Sequence, residues 1–231
     1  AAPILMAGNT MILKHASNVS GCALAIEKLF AESGFETGVF ATILVKGSEA
    51  SKLIDDKRIS AVTITGSTPA GIAVATAAGK NLKKAVLELG GSDPYIILAD
   101  ADINLAVEKC AAGRLLNAGQ SCIGAKRFIV VESIYNQFLE QFLHTMKQSK
   151  TGDPFDAQTT FGPLANMGFR DELHQQVINS VNCGAKILLG GIVENKNIPL
   201  YPATILVNVS PGMPAYDDEL FGPVASVIKA K

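Results

Sequence analysis

At 231 residues, 48% hydrophobic and 18% charged, the chain is long enough to bury a substantial core and too apolar to be disordered. Its 20 basic and 21 acidic residues leave a net charge of -1, which gives no electrostatic reason to expect nucleic acid or an anionic membrane as partner. Four scattered cysteines (Cys22, Cys110, Cys122, Cys183) without a CxxC pair and three scattered histidines argue against a disulfide framework and any metal site; a reducing cytoplasm is the expected setting.

Residues 10–15 (TMILKH) read as a strand, and Ser20 to Phe30 as a helix with Ala23, Ile26, Leu29 and Phe30 on one face. A second strand follows at 39–45, a short helix at Ala50 to Ile54, and a third strand at 60–65. Ala70 to Ala78 reads as a helix and residues 84–89 (KAVLEL) as a fourth strand. Strands buried on both faces and separated by helices are the pattern of a parallel α/β sheet. After the turn GGSDP (90–94) come the strand YIIL and a helix from Asp102, with Ile103, Ala106, Val107, Cys110 and Ala111 at helical spacing. The segment NAGQSCIG (117–124) leads into the strand RFIVV and a helix from Ser133, where Ile134, Phe138, Phe142 and Met146 recur every fourth residue. Strands KILLG and ATILV and the run FGPVASVIKA close the chain. There is no repeat and no low-complexity linker, so the division into domains is expected at Gly90–Gly91, giving 1–90 and 91–231.

Several positions suit chemistry, each with an ordinary alternative. Gly66-Ser67-Thr68-Pro69 joins a strand to a helix, where backbone amides and the helix dipole can meet a phosphate; it also reads as a plain strand–turn–helix junction. There is no GxGxxG fingerprint. Lys14 ends the first strand, placed to reach a ribose or phosphate or simply to be solvated. Cys122 lies among small polar residues behind the helix-breaking Asn117-Ala118-Gly119, the setting a nucleophilic thiolate needs, whereas Cys110 sits on an apolar stripe and reads as inert core. Glu88 interrupts an apolar strand just before two glycines; it reads as a partly buried general base or as an outward-facing strand residue. Asp217-Asp218-Glu219 reads as a solvated acidic run.

Taken together, AGNTMILK, TGSTPAG, LELGGSDP, GQSC and ELFGPV, in this order and spacing, resemble the aldehyde dehydrogenase superfamily along essentially the whole chain. LKHASN, LELGGSDP and RDELHQQV are most similar to a bacterial branch of NAD(P)-dependent succinate-semialdehyde dehydrogenases. The resemblance implies a modified Rossmann-type parallel sheet holding NAD or NADP, followed by an α/β catalytic domain that oxidises a small aldehyde, in a parent homodimer or homotetramer. It implies that Cys122 attacks the aldehyde carbonyl, that its own amide helps hold the oxyanion, and that Glu88 activates the hydrolytic water. Lys14 and Ser17 would lie near the adenosine ribose, Gly66, Ser67 and Leu89 at the coenzyme turn, Glu219 on the nicotinamide ribose and Phe221 beside the ring.

The resemblance also places the family's oxyanion-hole asparagine upstream of residue 1 and its last catalytic segment beyond residue 231, so this segment alone is expected to be inactive. Gly124 stands where some relatives carry a second cysteine, and Leu116 where the better-known succinate-semialdehyde branch has an arginine for the substrate carboxylate. Ser17 replaces the glutamate of many NAD-preferring relatives, so use of both coenzymes is expected.

Overall fold

The computed structural model describes residues 1–231 as an α/β chain in two compact units, Ala1–Leu89 and Gly90–Lys231. No helix is long and apolar enough to cross a membrane.

In the first unit a short helix α1 (Ala2–Met6) precedes β1 (Met11–Lys14), α2 (Ser20–Glu32) and β2 (Phe40–Ile43). Then come α3 (Ala50–Asp55), β3 (Ala61–Thr65), α4 (Thr68–Lys80) and β4 (Lys84–Glu88). β1 pairs with β2 and β3 with β4, both in parallel, as separate two-stranded sheets rather than one continuous sheet. The expectation of strands buried on both faces fails here: every residue of β4 is exposed. The helices of this unit bury only a few side chains, Ala23, Ile54, Ala77 and Ala78 among them, which is too little to cover two sheet faces.

The apolar face read for α2 is corrected as well. Ala23 is buried and Phe30 half-buried, but Ile26 and Leu29 are exposed. The rotation of the helix is set by its neighbours on β2. The Thr42 amide donates to the Glu27 carboxylate at 3.0 Å, the Thr42 hydroxyl donates to the Ala23 carbonyl at 3.0 Å, and Phe30 stacks on Phe40 at 4.6 Å. Residues 23, 27 and 30 therefore face the sheet, and the line through Ile26 turns outward.

The second unit is a five-stranded sheet in the order β5-β6-β9-β8-β7, parallel except for the β7–β8 pair. Its strands are β5 (Pro94–Ile97), β6 (Arg127–Val131), β7 (Lys186–Leu189), β8 (Thr204–Val207) and β9 (Val224–Ala230). The helices are α5 (Ile103–Leu115), α6 (Glu132–Lys147), α7 (Met167–Asn182) and α8 (Pro214–Asp217). Asp102 caps α5, its carboxylate accepting from the Leu105 amide at 3.1 Å. α6 buries Phe138, Phe142 and Met146 as its spacing predicts, with Phe142 against Phe128 of β6. α7 was not expected from the sequence because its inward line carries Arg170 and Ser180 beside Leu173 and Val177. Those polar groups are satisfied: Arg170 donates to three loop carbonyls and pairs with Asp171, and Ser180 donates to the Gln176 carbonyl.

Candidate active site

In the first unit the chemistry-bearing residues gather at the carboxyl ends of β3 and β4. The Gly66 amide donates to the Glu88 carbonyl at 3.0 Å, and Thr65 is in register with Glu88. The Ser67 hydroxyl caps α4 by accepting from the Ala70 amide, with Pro69 in the first turn. A Cβ on Gly71 would stand 2.5 Å from the Leu89 side chain, so the bare glycine lets Leu89 rest on the start of this helix. Gly66, Ser67, Glu88 and Leu89 thus share one corner. Lys14 is half-buried at the end of β1 and Ser17 is exposed in the turn that follows, both on the other strand pair. Glu88 is exposed, so the partial burial offered as the reason for its basicity is absent in this chain.

The second unit builds the surroundings of Cys122. α5 ends at Leu115, and the chain then reverses through Asn117 (φ 52°) and Ala118 (φ 55°), left-handed conformations that cost non-glycine residues about 1–3 kcal/mol each. Gly119 continues the run at φ 73°, and a Cβ on it would stand 2.1 Å from the Gly222 carbonyl oxygen. The turn is locked by side chains. Asn117 donates to the Gln120 carbonyl at 3.0 Å, Gln120 returns a bond to the Asn117 carbonyl at 3.1 Å, and the Gln120 side-chain oxygen accepts from the Ala165 amide at 2.8 Å.

Two fully buried cations grip the same loop from beneath. Arg114 donates to the carbonyls of Gly119 at 2.5 Å and Ala125 at 2.8 Å. Burial pushes its guanidinium down to about 10 against the attraction of Glu219 and Tyr95, which still leaves it charged. Lys126 donates to the carbonyls of Ser121 at 3.0 Å and Cys122 at 2.6 Å, and its third partner is the Glu219 carboxylate at 2.9 Å. With these carbonyls turned inward, Cys122 is exposed on the turn, and the amides of Cys122 and Ile123 donate to no acceptor in the protein. Free amides beside a nucleophile are the elements of an oxyanion hole.

Glu219 is placed by glycine as well. A Cβ on Gly90 would stand 1.9 Å from Glu219 Oε2, so the carboxylate lies over a bare backbone. Glu219 is therefore no solvated acid: its side chain is only 21% exposed, and its Oε1 has no partner besides Lys126. Phe221 is exposed next to it. Leu116, also exposed, lines an open groove of about 730 Å³ with Asn117, Ala118 and Phe161; Cys122 is not part of that groove. Exposure does not single out Cys122, since Cys22 and Cys183 are exposed too; only Cys110 is buried, its thiol pushed up to about 12.

Lys126 and Arg114 were missed from the sequence, although a signal existed. Lys126 lies two residues before Phe128 and four before Val130, on the core face of the strand. Arg114 follows Val107 by seven residues and Cys110 by four, on the core stripe of the helix.

The whole chain resembles known proteins. The profile described as "Aldehyde dehydrogenase family" matches residues 1–231. The chain is 49% identical over 229 residues to an aldehyde dehydrogenase of Paenarthrobacter nicotinovorans, covering 99% of this chain and 50% of that protein. It is 48% identical over 231 residues to the NAD(P)+ succinate semialdehyde dehydrogenase Sad of Escherichia coli (strain K12), covering 100% of this chain and 50% of that protein. Among solved structures, succinic semialdehyde dehydrogenase from Streptococcus pyogenes in complex with NADP+ superposes with a TM-score of 0.95 at 38% identity, over 100% of this chain and 50% of that one. The chain spans about half the length of the curated relatives it matches. With its profile match from end to end, the chain belongs to the aldehyde dehydrogenase family.

Proposed function

We propose that the protein carrying this chain oxidises an aldehyde, succinate semialdehyde foremost, to its carboxylic acid with NAD or NADP, using Cys122 as nucleophile. The observation that carries this reading is the Cys122 turn: an exposed thiol on a rigid loop whose adjacent amides are unengaged. The names of the relatives from E. coli and S. pyogenes support the substrate and the coenzymes.

The residues present fit a nicotinamide dinucleotide. Glu219 commits Oε1 to Lys126 and leaves Oε2, over Gly90, for ribose hydroxyls. The capped start of α4 at Gly66-Ser67 suits the pyrophosphate, Leu89 packs beside it, and Lys14 and Ser17 suit the adenosine ribose. Phe221 is available to flank the nicotinamide ring. When bound, the coenzyme accepts the hydride released from the substrate carbon.

The chain's own part begins with Cys122 Sγ adding to the aldehyde carbonyl. The oxyanion that forms is met by the Cys122 amide. Loss of hydride leaves a thioester on Sγ. Glu88 then takes a proton from the water that attacks this thioester, and the acid departs as Cys122 regains its thiolate. A reducing compartment suits the four free thiols.

The test is trapping of the acyl-enzyme on the intact protein. Glu88→Gln is expected to accumulate mass on Cys122 and to slow turnover by about 10²–10⁴. Steady-state turnover by Cys122→Ser at the wild-type rate would overturn the proposal. Leu116, apolar where a carboxylate contact is found in the better-known branch, favours a second reading in which other small aldehydes are preferred. Comparing kcat/KM for succinate semialdehyde and butanal decides between them: at least a tenfold advantage for the former supports the first reading, and equality supports the second.

A further inference from the structure

We infer that Lys126 is a positioning residue that ties the Cys122 turn to the Glu219 carboxylate, so that coenzyme seating and nucleophile placement are coupled. The inference rests on the proposed function for what Cys122 and Glu219 do, and on geometry for the link between them.

Lys126 has no exposed surface, and burying an ammonium costs several kcal/mol unless its partners replace water. Its ammonium donates to the Ser121 carbonyl at 3.0 Å and the Cys122 carbonyl at 2.6 Å, and it forms an ion pair with Glu219 Oε1 at 2.9 Å. Anchoring of the loop does not require this cation, because Arg114 already holds its two ends at Gly119 and Ala125. An apolar side chain on this core-facing position would pack at lower cost. What only Lys126 adds is a direct bridge from the carbonyl of the nucleophile's own residue to the acidic group.

The bridge has a consequence for reactivity. Ribose hydroxyls that donate to Glu219 share the carboxylate with Lys126. The ammonium then leans more strongly on the carbonyls of Ser121 and Cys122, and the turn tightens. Coupling of this kind is reciprocal, so disturbing the turn also weakens coenzyme binding.

The experiment uses the intact protein and reads Cys122 alkylation by iodoacetamide with and without NAD+, by mass spectrometry, alongside KM for NAD+ and kcat. In the wild type NAD+ is expected to change the alkylation rate at least threefold. Lys126→Met is expected to abolish that change and to raise KM for NAD+ by about 10–100-fold, the equivalent of about 1.4–2.8 kcal/mol and of one charge-assisted hydrogen bond. Lys126→Arg, which keeps the charge, is expected to hold KM within about threefold, whereas neutral Lys126→Gln follows Met. Should Lys126→Met fail to fold, the Arg and Gln variants decide alone. Equal KM and equal NAD+ response in both would overturn the inference, as would a wild-type response that survives in Lys126→Met. An acyl group that never forms on wild-type Cys122 counts instead against the proposed function, so the two failures are distinguishable.

Discussion

A methyl group at residue 119 would sit 2.1 Å from a carbonyl oxygen and 2.3 Å from its carbon, both on the backbone of Gly222, where nothing can rotate aside. Gly119→Ala must also hold a positive φ of 73°. It is therefore expected to cost about 3 kcal/mol or more, from overpacking and backbone strain together, and to lower the melting temperature and the yield of acylated Cys122 alike. Gly90→Ala meets the opposite case, since the crowding atom is the far end of the Glu219 side chain at 1.9 Å. That carboxylate can swing away at the expense of its pairing with Lys126, so the melting temperature is expected to fall less than for Gly119→Ala while KM for the coenzyme rises; a drop as large as that of Gly119→Ala would refute the distinction. Cys110 supplies a pH effect. Burial raises its thiol from 9.0 to about 12, so the folded chain keeps the proton that the unfolded chain releases. Stability on this account is complete below pH 9 and is lost as pH climbs from 9 toward 12, by up to about 1.4 kcal/mol per unit. Urea melts of Cys110→Ala across that range should show a slope shallower by one proton, and alkylation should spare Cys110 until the chain unfolds.

Helices α6 and α2 show what periodicity can and cannot decide. On α6 the spacing every fourth residue selects one face, and Phe138, Phe142 and Met146 are fully buried along it. Phe138→Ala is expected to destabilise by about 3–5 kcal/mol, and Leu29→Ala on α2, at 61% exposure, by less than about 0.5 kcal/mol; equal losses by denaturant titration would contradict the burial. For α2 the sequence alone admits two adjacent faces, and the choice between Ile26 and Glu27 is made by Thr42 and Phe40, far away in the chain. Of the two readings of Glu88, the partly buried one fails for a related reason: the apolar pattern of β4 specifies residues suited to burial, but burial itself depends on what covers them. Most strands and the α5 and α6 helices were legible because each carries its own repeat. The order of motifs likewise pointed to Cys122 and Glu219. What could not be read was the packing of motif on motif, with Gly90 under Glu219 and Gly119 on Gly222, because a missing side chain leaves no pattern. Lys126 and Arg114 were legible in principle, as charges out of place on otherwise apolar faces.

At the scale of the molecule, the two units differ in how much they bury. The second holds one large apolar cluster running from Ile97 to Val227, whereas the first has only a small one around Ile54, Ala77 and Ala78 and exposes Ile12, Leu44, Ile72 and Val86. Amides of β1 to β4 are accordingly expected to exchange with deuterium well before those of β6, β8 and β9, and matching protection in both units would count against this account. The contact of Gly119 with Gly222 spans 222 - 119 = 103 residues, and that of Gly90 with Glu219 spans 219 - 90 = 129. Neither can form until nearly the whole second unit has left the ribosome. During synthesis the Cys122 segment thus emerges early and waits, its left-handed turn unsupported and its thiol unshaped, for a glycine and a glutamate made many seconds later at about 5–20 residues per second. The proposed chemistry is in this sense withheld by timing: a chain stalled before residue 219 carries every atom of the Cys122 turn and none of the partners at Glu219 and Gly222 that hold it in place.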